Sequence, residues 1–178
     1  MSAREDLRRF RALDLDCSSI GLEQRSDTPY FCTPTGAEYV GWIGCDGVHF
    51  VLLPGDERVF CVDPAMGEAG TYALPVGEDF REFLSFVLYC RDANPLSQIW
   101  WMEEPRFRQM LTEDAEQLGD QEYEEKRKVV LDAIVHAFDL TPRDPWEKVK
   151  ALQAAFDPAC LTFSDEYYEV LGLDREER

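Results

Sequence analysis

Residues 37–101 alternate short apolar runs with turn-forming pairs and then pass into a strongly amphipathic segment, a succession that admits few architectures. Asp46-Gly47 separates the runs 37–43 and 48–53, and a glycine that accepts positive φ without steric cost makes this a hairpin turn. Pro54-Gly55-Asp56-Glu57 is a second turn, leading into residues 58–62. The strands are therefore predicted to pair as an antiparallel meander. Residues 48–53 are apolar on both faces, as expected of a central strand covered on each side, or on one side and shielded by long side chains on the other. Two further strands are predicted: residues 70–74 after Gly67 and Gly70, and residues 30–32 ahead of Thr33-Pro34-Thr35-Gly36. A helix over 79–90 follows, because Phe80, Phe83, Leu84, Val87 and Leu88 recur at the spacing of one buried stripe. Phe86 and Tyr89 widen that stripe.

Helical patterning dominates the rest. Leu7, Phe10 and Leu13 mark a short amphipathic helix over 4–13, and a polar connector runs on to Pro29. After a break at Asp92-Ala93-Asn94-Pro95, residues 96–102 carry Ile99, Trp100 and Trp101, and Phe107, Met110 and Leu111 continue a helical pattern. Beyond Gly119, Val129, Val130, Ala133, Ile134, Ala137 and Phe138 define a long helix. Asp144-Pro145-Trp146-Glu147 opens another, with Asp as N-cap, Pro at N1 and Glu at N3 to close a capping box. Trp146, Val149, Leu152 and Phe156 are its expected buried face. In the tail, Phe163, Tyr167, Tyr168, Val170 and Leu171 are expected to dock ahead of a charged, frayed end. The predicted fold class is α+β: a central antiparallel or mixed sheet flanked by helices, with a helical C-terminal region, all in one domain over residues 1–178.

A hydrophobic share of 45%, with 12% aromatic residues, is enough to build a core against chain entropy and excludes a disordered acidic tail. No run approaches the roughly 18 apolar residues of a membrane-spanning helix. The first residues are charged where a secretory signal is apolar, so a cytoplasmic location is expected. Six cysteines, Cys17, Cys32, Cys45, Cys61, Cys90 and Cys160, show no C-x-x-C pair and no histidine at zinc-finger spacing. They are expected to be small buried apolar residues, with a disulfide-stapled secreted fold as the alternative. A net charge of −18 repels phosphate backbones and anionic lipids, which argues against nucleic-acid or membrane binding and favours a cationic partner. Acidity that only confers solubility is the competing explanation.

The run Gly44-Cys45-Asp46-Gly47-Val48-His49-Phe50, the strand Val59-Phe60-Cys61-Val62-Asp63-Pro64 and the helix Phe80-Arg81-Glu82-Phe83-Leu84 resemble the SUKH superfamily, named for fungal cell-wall-assembly regulators and including many bacterial proteins. The resemblance covers residues 30–112. It implies an α+β domain with helices flanking the sheet, and a role as an interaction module or as an immunity protein that neutralises a cognate bacterial toxin. It brings no catalytic constellation with it. The chain departs from the commoner pattern in lacking a leucine-proline motif near its beginning and in its long helical C-terminal region.

Catalytic readings are weak at the level of residues. A nucleophilic cysteine needs a base, and the histidines are His49 and His136. His49 sits in a predicted strand, within geometric reach of Cys61 or Cys45 across the meander, but a lone histidine there is more often a hydrogen-bonded core residue or an exposed edge residue. His136, on a helix among apolar residues, reads the same way. Glu103-Glu104 and Asp165-Glu166 are adjacent helical residues that diverge around the axis, so neither pair converges on a site. No D-x-D-x-D-G loop, H-E-x-x-H helix or P-loop is present, and no cofactor or metal is expected.

The acids Glu113, Asp114, Glu116, Asp120, Glu122, Glu124 and Glu125 span a helix end and the start of the next helix. Concentrated negative charge speeds encounter with a basic surface, and nuclease toxins are basic because they bind phosphate. A solvated helix junction is the plainer alternative. Consecutive helical positions differ by about 100°, so Trp100 and Trp101 cannot both bury on one narrow stripe. An exposed Trp beside Glu103 and Glu104 would be an interface anchor, unless a second helical layer covers it. The expected function is therefore non-catalytic protein binding, with a basic toxin domain as the partner of an immunity protein. The alternative is a regulatory or scaffolding module of the same superfamily with no toxin partner.

Overall fold

The computed structural model describes residues 2–24, 28–116 and 120–174. Helix α1 (Ala3–Arg11) is followed by the strands β1 (Glu38–Trp42), β2 (His49–Leu52), β3 (Val59–Val62) and β4 (Ala73–Gly77). Then come α2 (Phe80–Cys90), α3 (Asn94–Gln98), α4 (Glu104–Glu116), α5 (Gln121–Phe138), α6 (Trp146–Ala154) and α7 (Asp165–Leu171). The strands form one sheet in the order β1-β2-β3-β4, antiparallel throughout. The fold is α+β with a helical C-terminal region, and the meander follows from its turns. Asp46 and Gly47 both take positive φ, 55° and 72°, the geometry whose twist matches the strands of a tight hairpin.

Two cores lie on the two faces of the sheet. Val40, Phe50, Leu52, Val59, Cys61 and Val76 face α1 and α2, whereas Tyr39, Trp42, Val51, Phe60, Val62 and Ala73 pack with Leu161, Phe163 and Tyr167. β2 is apolar on both faces because both are covered. A bulge between Tyr39 and Gly41 sets two residues of β1 opposite Phe50, which returns Trp42 to the face of Tyr39 despite a spacing of three. Phe80, Phe83, Phe86 and Val87 of α2 are fully buried, each phenyl contributing roughly 2 kcal/mol of hydrophobic stabilisation. The widened stripe holds for Phe86; Tyr89 is 39% exposed, its hydroxyl reaching Asp144.

Both sheet edges are attended. At β1, Glu23 and Trp42 exchange backbone hydrogen bonds of 2.8 and 2.9 Å, and a Cβ on Gly41 would stand 2.8 Å from the Leu22 backbone. Glycine is what permits that approach. At β4, α6 packs alongside, placing Trp146 and Val149 in the first core and Phe156 against the second. A helix laid along an edge obstructs pairing with another chain.

Several expectations are corrected. Residues 30–32 form a turn, not a strand: Thr33 N donates to the Tyr30 carbonyl and Tyr30 N donates to Thr33 Oγ1, local bonds that compete with a ladder. β4 begins at Ala73 because Asp63 caps a 3-10 turn over Pro64–Ala69, its carboxylate accepting from Ala65 N at 2.8 Å. Asn94-Pro95 starts α3, with Pro in the first turn. α6 begins at Trp146 with Pro145, not Asp144, at its N-cap; Asp144 accepts from Trp146 N at 3.0 Å, among the described residues Glu147 accepts no backbone bond that would close a box, and the other Asp144 carboxylate oxygen is held by Arg108 at 2.6 Å. Val129 and Val170, expected to be buried, are exposed, because the cores lie on the opposite sides of their helices. The charged C-terminal end and the junction at Gly119 lie outside the described residues.

Candidate functional site

Trp100 and Trp101 sit in the turn that closes α3, not on a helix, with Trp101 N and Met102 N both donating to the Gln98 carbonyl. The turn separates them sharply. Trp100 packs against the first core with its Nε1 buried and, among the described residues, lacking a hydrogen-bond partner, whereas Trp101 is 55% exposed. Among the described residues, no layer from the C-terminal helices covers Trp101. Glu103, beside it, is exposed; Glu104 is bound by Arg108 at 2.9 Å.

The acids of α4 and α5 divide into two groups. Glu113 is held by Arg106 and Gln109, Glu122 by Lys126, and Glu124 by both Arg91 and Arg127. Asp120 is the N-cap of α5, accepting from Glu122 N at 3.0 Å and from Tyr123 N at 3.4 Å, and Glu125 accepts from Gln121. Among the described residues, no cationic side chain pairs with Glu103, Asp114, Glu116, Asp120 or Glu125. Exposed ion pairs are worth at most about 1 kcal/mol, so Glu113 and Glu122 remain available to a stronger cation, whereas Glu124 is partly buried and held by two arginines.

A polar cleft of about 290 Å³ brings Asp114 of α4 together with Asp120 and Glu124 of α5, and adds Asp92 from the turn after α2. Arg127 joins them, its guanidinium 3.6 Å from Asp92, 3.2 Å from Glu124 and 3.2 Å from the Ser19 carbonyl. Burial pushes the Asp92 carboxyl above its ordinary range and the charge of Asp114 adds to this, while the Asn94 backbone N–H and Arg127 oppose it. Among the described residues, no three His, Cys, Asp or Glu side chains are arranged to hold a metal ion.

His49 is a core residue. It is fully buried, 4.1 Å from the Trp42 ring, and both ring nitrogens are engaged: Nδ1 donates to the Gly47 carbonyl at 2.7 Å, which leaves Nε2 to accept from Thr33 Oγ1 at 3.0 Å. Burial depresses its pKa to about 4. Cys61 lies on the opposite face of the sheet, so the pairing of His49 with Cys61 fails by strand alternation. Burial raises the thiols of Cys17 and Cys32 to about 12, and those of Cys61 and Cys90 rise as well. Cys45 and Cys160 are exposed, against the expectation that all six are buried; at Cys45 partial burial and the charge of Asp46 hold the thiol up, the reverse of activation. All six thiols are free. His136 is exposed on α5.

Asp92 and Arg127 belong to this surface and carried no signal in the sequence, because they meet only in the folded chain. Val129 carried none either: which side of α5 meets the core is set by the folded chain, and its neighbours Val130 and Leu131 are both buried while it is 63% exposed. No helix among the described residues is long and apolar enough to cross a membrane. Comparison with protein-family models, with curated proteins and with solved structures found no match to this chain.

Proposed function

We propose that this chain is a non-catalytic, cytoplasmic protein-binding domain of the SUKH type, an immunity protein that occludes a basic toxin domain with the acidic surface of α4 and α5. The observation that carries this reading is the set Glu103, Asp114, Glu116, Asp120 and Glu125, acids without cationic partners among the described residues, on a chain that also exposes Trp101 beside Glu103. Unpaired acids produce a field that accelerates encounter, and an exposed aromatic supplies the apolar contact that slows dissociation. The net charge of −18 supports a cationic partner and opposes nucleic acid. The SUKH assignment rests on the sequence resemblance, whose residues lie in β2, β3, α2 and the adjoining turns.

The test is affinity capture from the native cell with the natural protein and with a variant carrying Glu103→Gln, Asp114→Asn, Glu116→Gln, Asp120→Asn and Glu125→Gln. Asparagine at position 120 keeps the N-cap. The natural protein should recover a basic toxin domain, release it as salt rises, and suppress its activity when added back; the variant should do so poorly. Recovery of a housekeeping complex with no toxin would replace immunity by the regulatory role. Equal capture by the variant would remove the acidic surface from the account.

A further inference from the structure

A groove of about 620 Å³ runs between α5 and residues 14–19, the stretch linking α1 to the 3-10 turn at Cys17–Ile20. Its apolar surface comes from Leu15, Tyr123, Val129 and Val130, and Val129 is 63% exposed although α5 has a buried face available. Asp14, Asp16, Glu122 and Glu125 form the rim. Lys126 is the one cation among the lining residues, and it is already paired with Glu122 at 2.8 Å. The wall is fixed in place: the Ser19 carbonyl accepts from both Tyr123 Oη at 3.0 Å and Arg127 Nε at 3.2 Å, which clamps the turn to α5. Ser19 also lines the groove, and its buried Oγ has no hydrogen-bond partner among the described residues.

We infer that this groove docks an amphipathic lysine- or arginine-rich segment of a protein partner, with apolar side chains on Leu15 and Val129 and cations against Asp14, Asp16, Glu122 and Glu125. Charge complementarity selects the occupant. Four rim carboxylates reject an acidic peptide or a nucleic acid, and the apolar floor gives a purely charged polycation nothing to bury. An amphipathic segment satisfies both, as helices and extended segments do in hydrophobic grooves elsewhere. The inference rests on the proposed basic partner. It deepens that reading by moving the apolar contact from Trp101 to the groove beside α5 and by requiring apolar residues in the bound segment.

Two fluorescein-labelled peptides of equal length and equal charge serve as probes: one with leucine and lysine on opposite helix faces, the other with serine in place of leucine. Anisotropy titrations use the full-length protein and its Val129→Gln variant, whose substitution lies at an exposed helical position and keeps the charge. The leucine–lysine peptide should bind the natural protein more tightly than the serine–lysine peptide and lose roughly tenfold on Val129→Gln, as expected for one apolar side chain left unburied. The serine–lysine peptide should not distinguish the two proteins. Methyl resonances of Leu15, Val129 and Val130 should shift on titration.

Equal binding of the two peptides, or an unchanged affinity on Val129→Gln, overturns the groove while leaving the basic-partner reading intact. Binding of neither peptide at low salt overturns both. Concentration-dependent self-association that Val129→Gln abolishes also overturns the proposal, by assigning the groove to a second copy of the chain.

Discussion

The His49 ring lies on Trp42 with centroids 4.1 Å apart and an interplanar angle of 29°, which seats the imidazole in the core, where burial keeps it neutral. Its pKa falls from about 6.5 to about 4 through burial, which the bond to the Gly47 carbonyl only partly offsets. The unfolded chain therefore takes up a proton below about pH 6.5 that the folded chain refuses until about pH 4. Stability attributable to His49 is complete above that window, declines as pH falls through it, and changes no further below it. The full difference is about 3 kcal/mol. Urea unfolding at pH 7 and pH 4 should show the natural protein losing about 2 to 3 kcal/mol more than His49→Gln; equal losses would mean that the ring is already protonated in the fold.

Gly41 carries the close approach of residues 22–24 to β1. A methyl group there meets Leu22 Cα and carbonyl carbon at 2.8 Å, backbone atoms that cannot rotate away. Gly41→Ala should cost about 1–3 kcal/mol in chemical denaturation, the range of a small overpacking. The cost should be local in origin. Amide exchange at Glu23 and Trp42, which pair across this contact, should accelerate more than exchange at the β2–β3 ladder.

Arg127 holds three segments together through Asp92, Glu124 and the Ser19 carbonyl. Arg127→Ala removes the cation that lowers the Asp92 carboxyl, while the burial that raises it remains. The Asp92 pKa should therefore rise further, read directly from its carboxyl carbon in an NMR titration. Folding stability should fall by about 1–3 kcal/mol, because a half-buried carboxylate and a carbonyl lose a charged donor. Arg127→Lys should restore part of the pKa effect but little of the fork that reaches both acids and the carbonyl.

The meander and α2 were legible because their determinants are local. Asp46-Gly47 dictates its own turn, and the spacing of Phe80, Phe83, Leu84 and Val87 dictates its own face. The surface was legible only as composition. That Glu104, Glu113, Glu122 and Glu124 have cationic partners depends partly on helical spacing, but Arg91 reaching Glu124 and Arg127 reaching Ser19 are contacts between segments far apart in the chain. The strand expected at residues 30–32 failed for a local reason instead: Thr33 Oγ1, three residues on, accepts from Tyr30 N and competes with a ladder partner.

Trp100 and Trp101 are neighbours with opposite roles, and substitutions should separate them. Trp101 is 55% exposed, so Trp101→Ala should change stability by no more than roughly 0.5 kcal/mol. Trp100 packs on the first core, so Trp100→Ala should cost about 2–4 kcal/mol. Its Nε1 is buried without a partner, which gives a sharper test. Trp100→Phe keeps most of the ring and removes the unsatisfied N–H, a group whose burial costs about 1–3 kcal/mol, so this variant should lose far less than Trp100→Ala despite its smaller volume. If Trp100→Phe proves as damaging as Trp100→Ala, the indole nitrogen has a partner in solution, such as a buried water. Against a captured partner the order should invert: Trp101→Ala weakens binding and Trp100→Phe leaves it unchanged, because only the exposed ring is free to enter an interface.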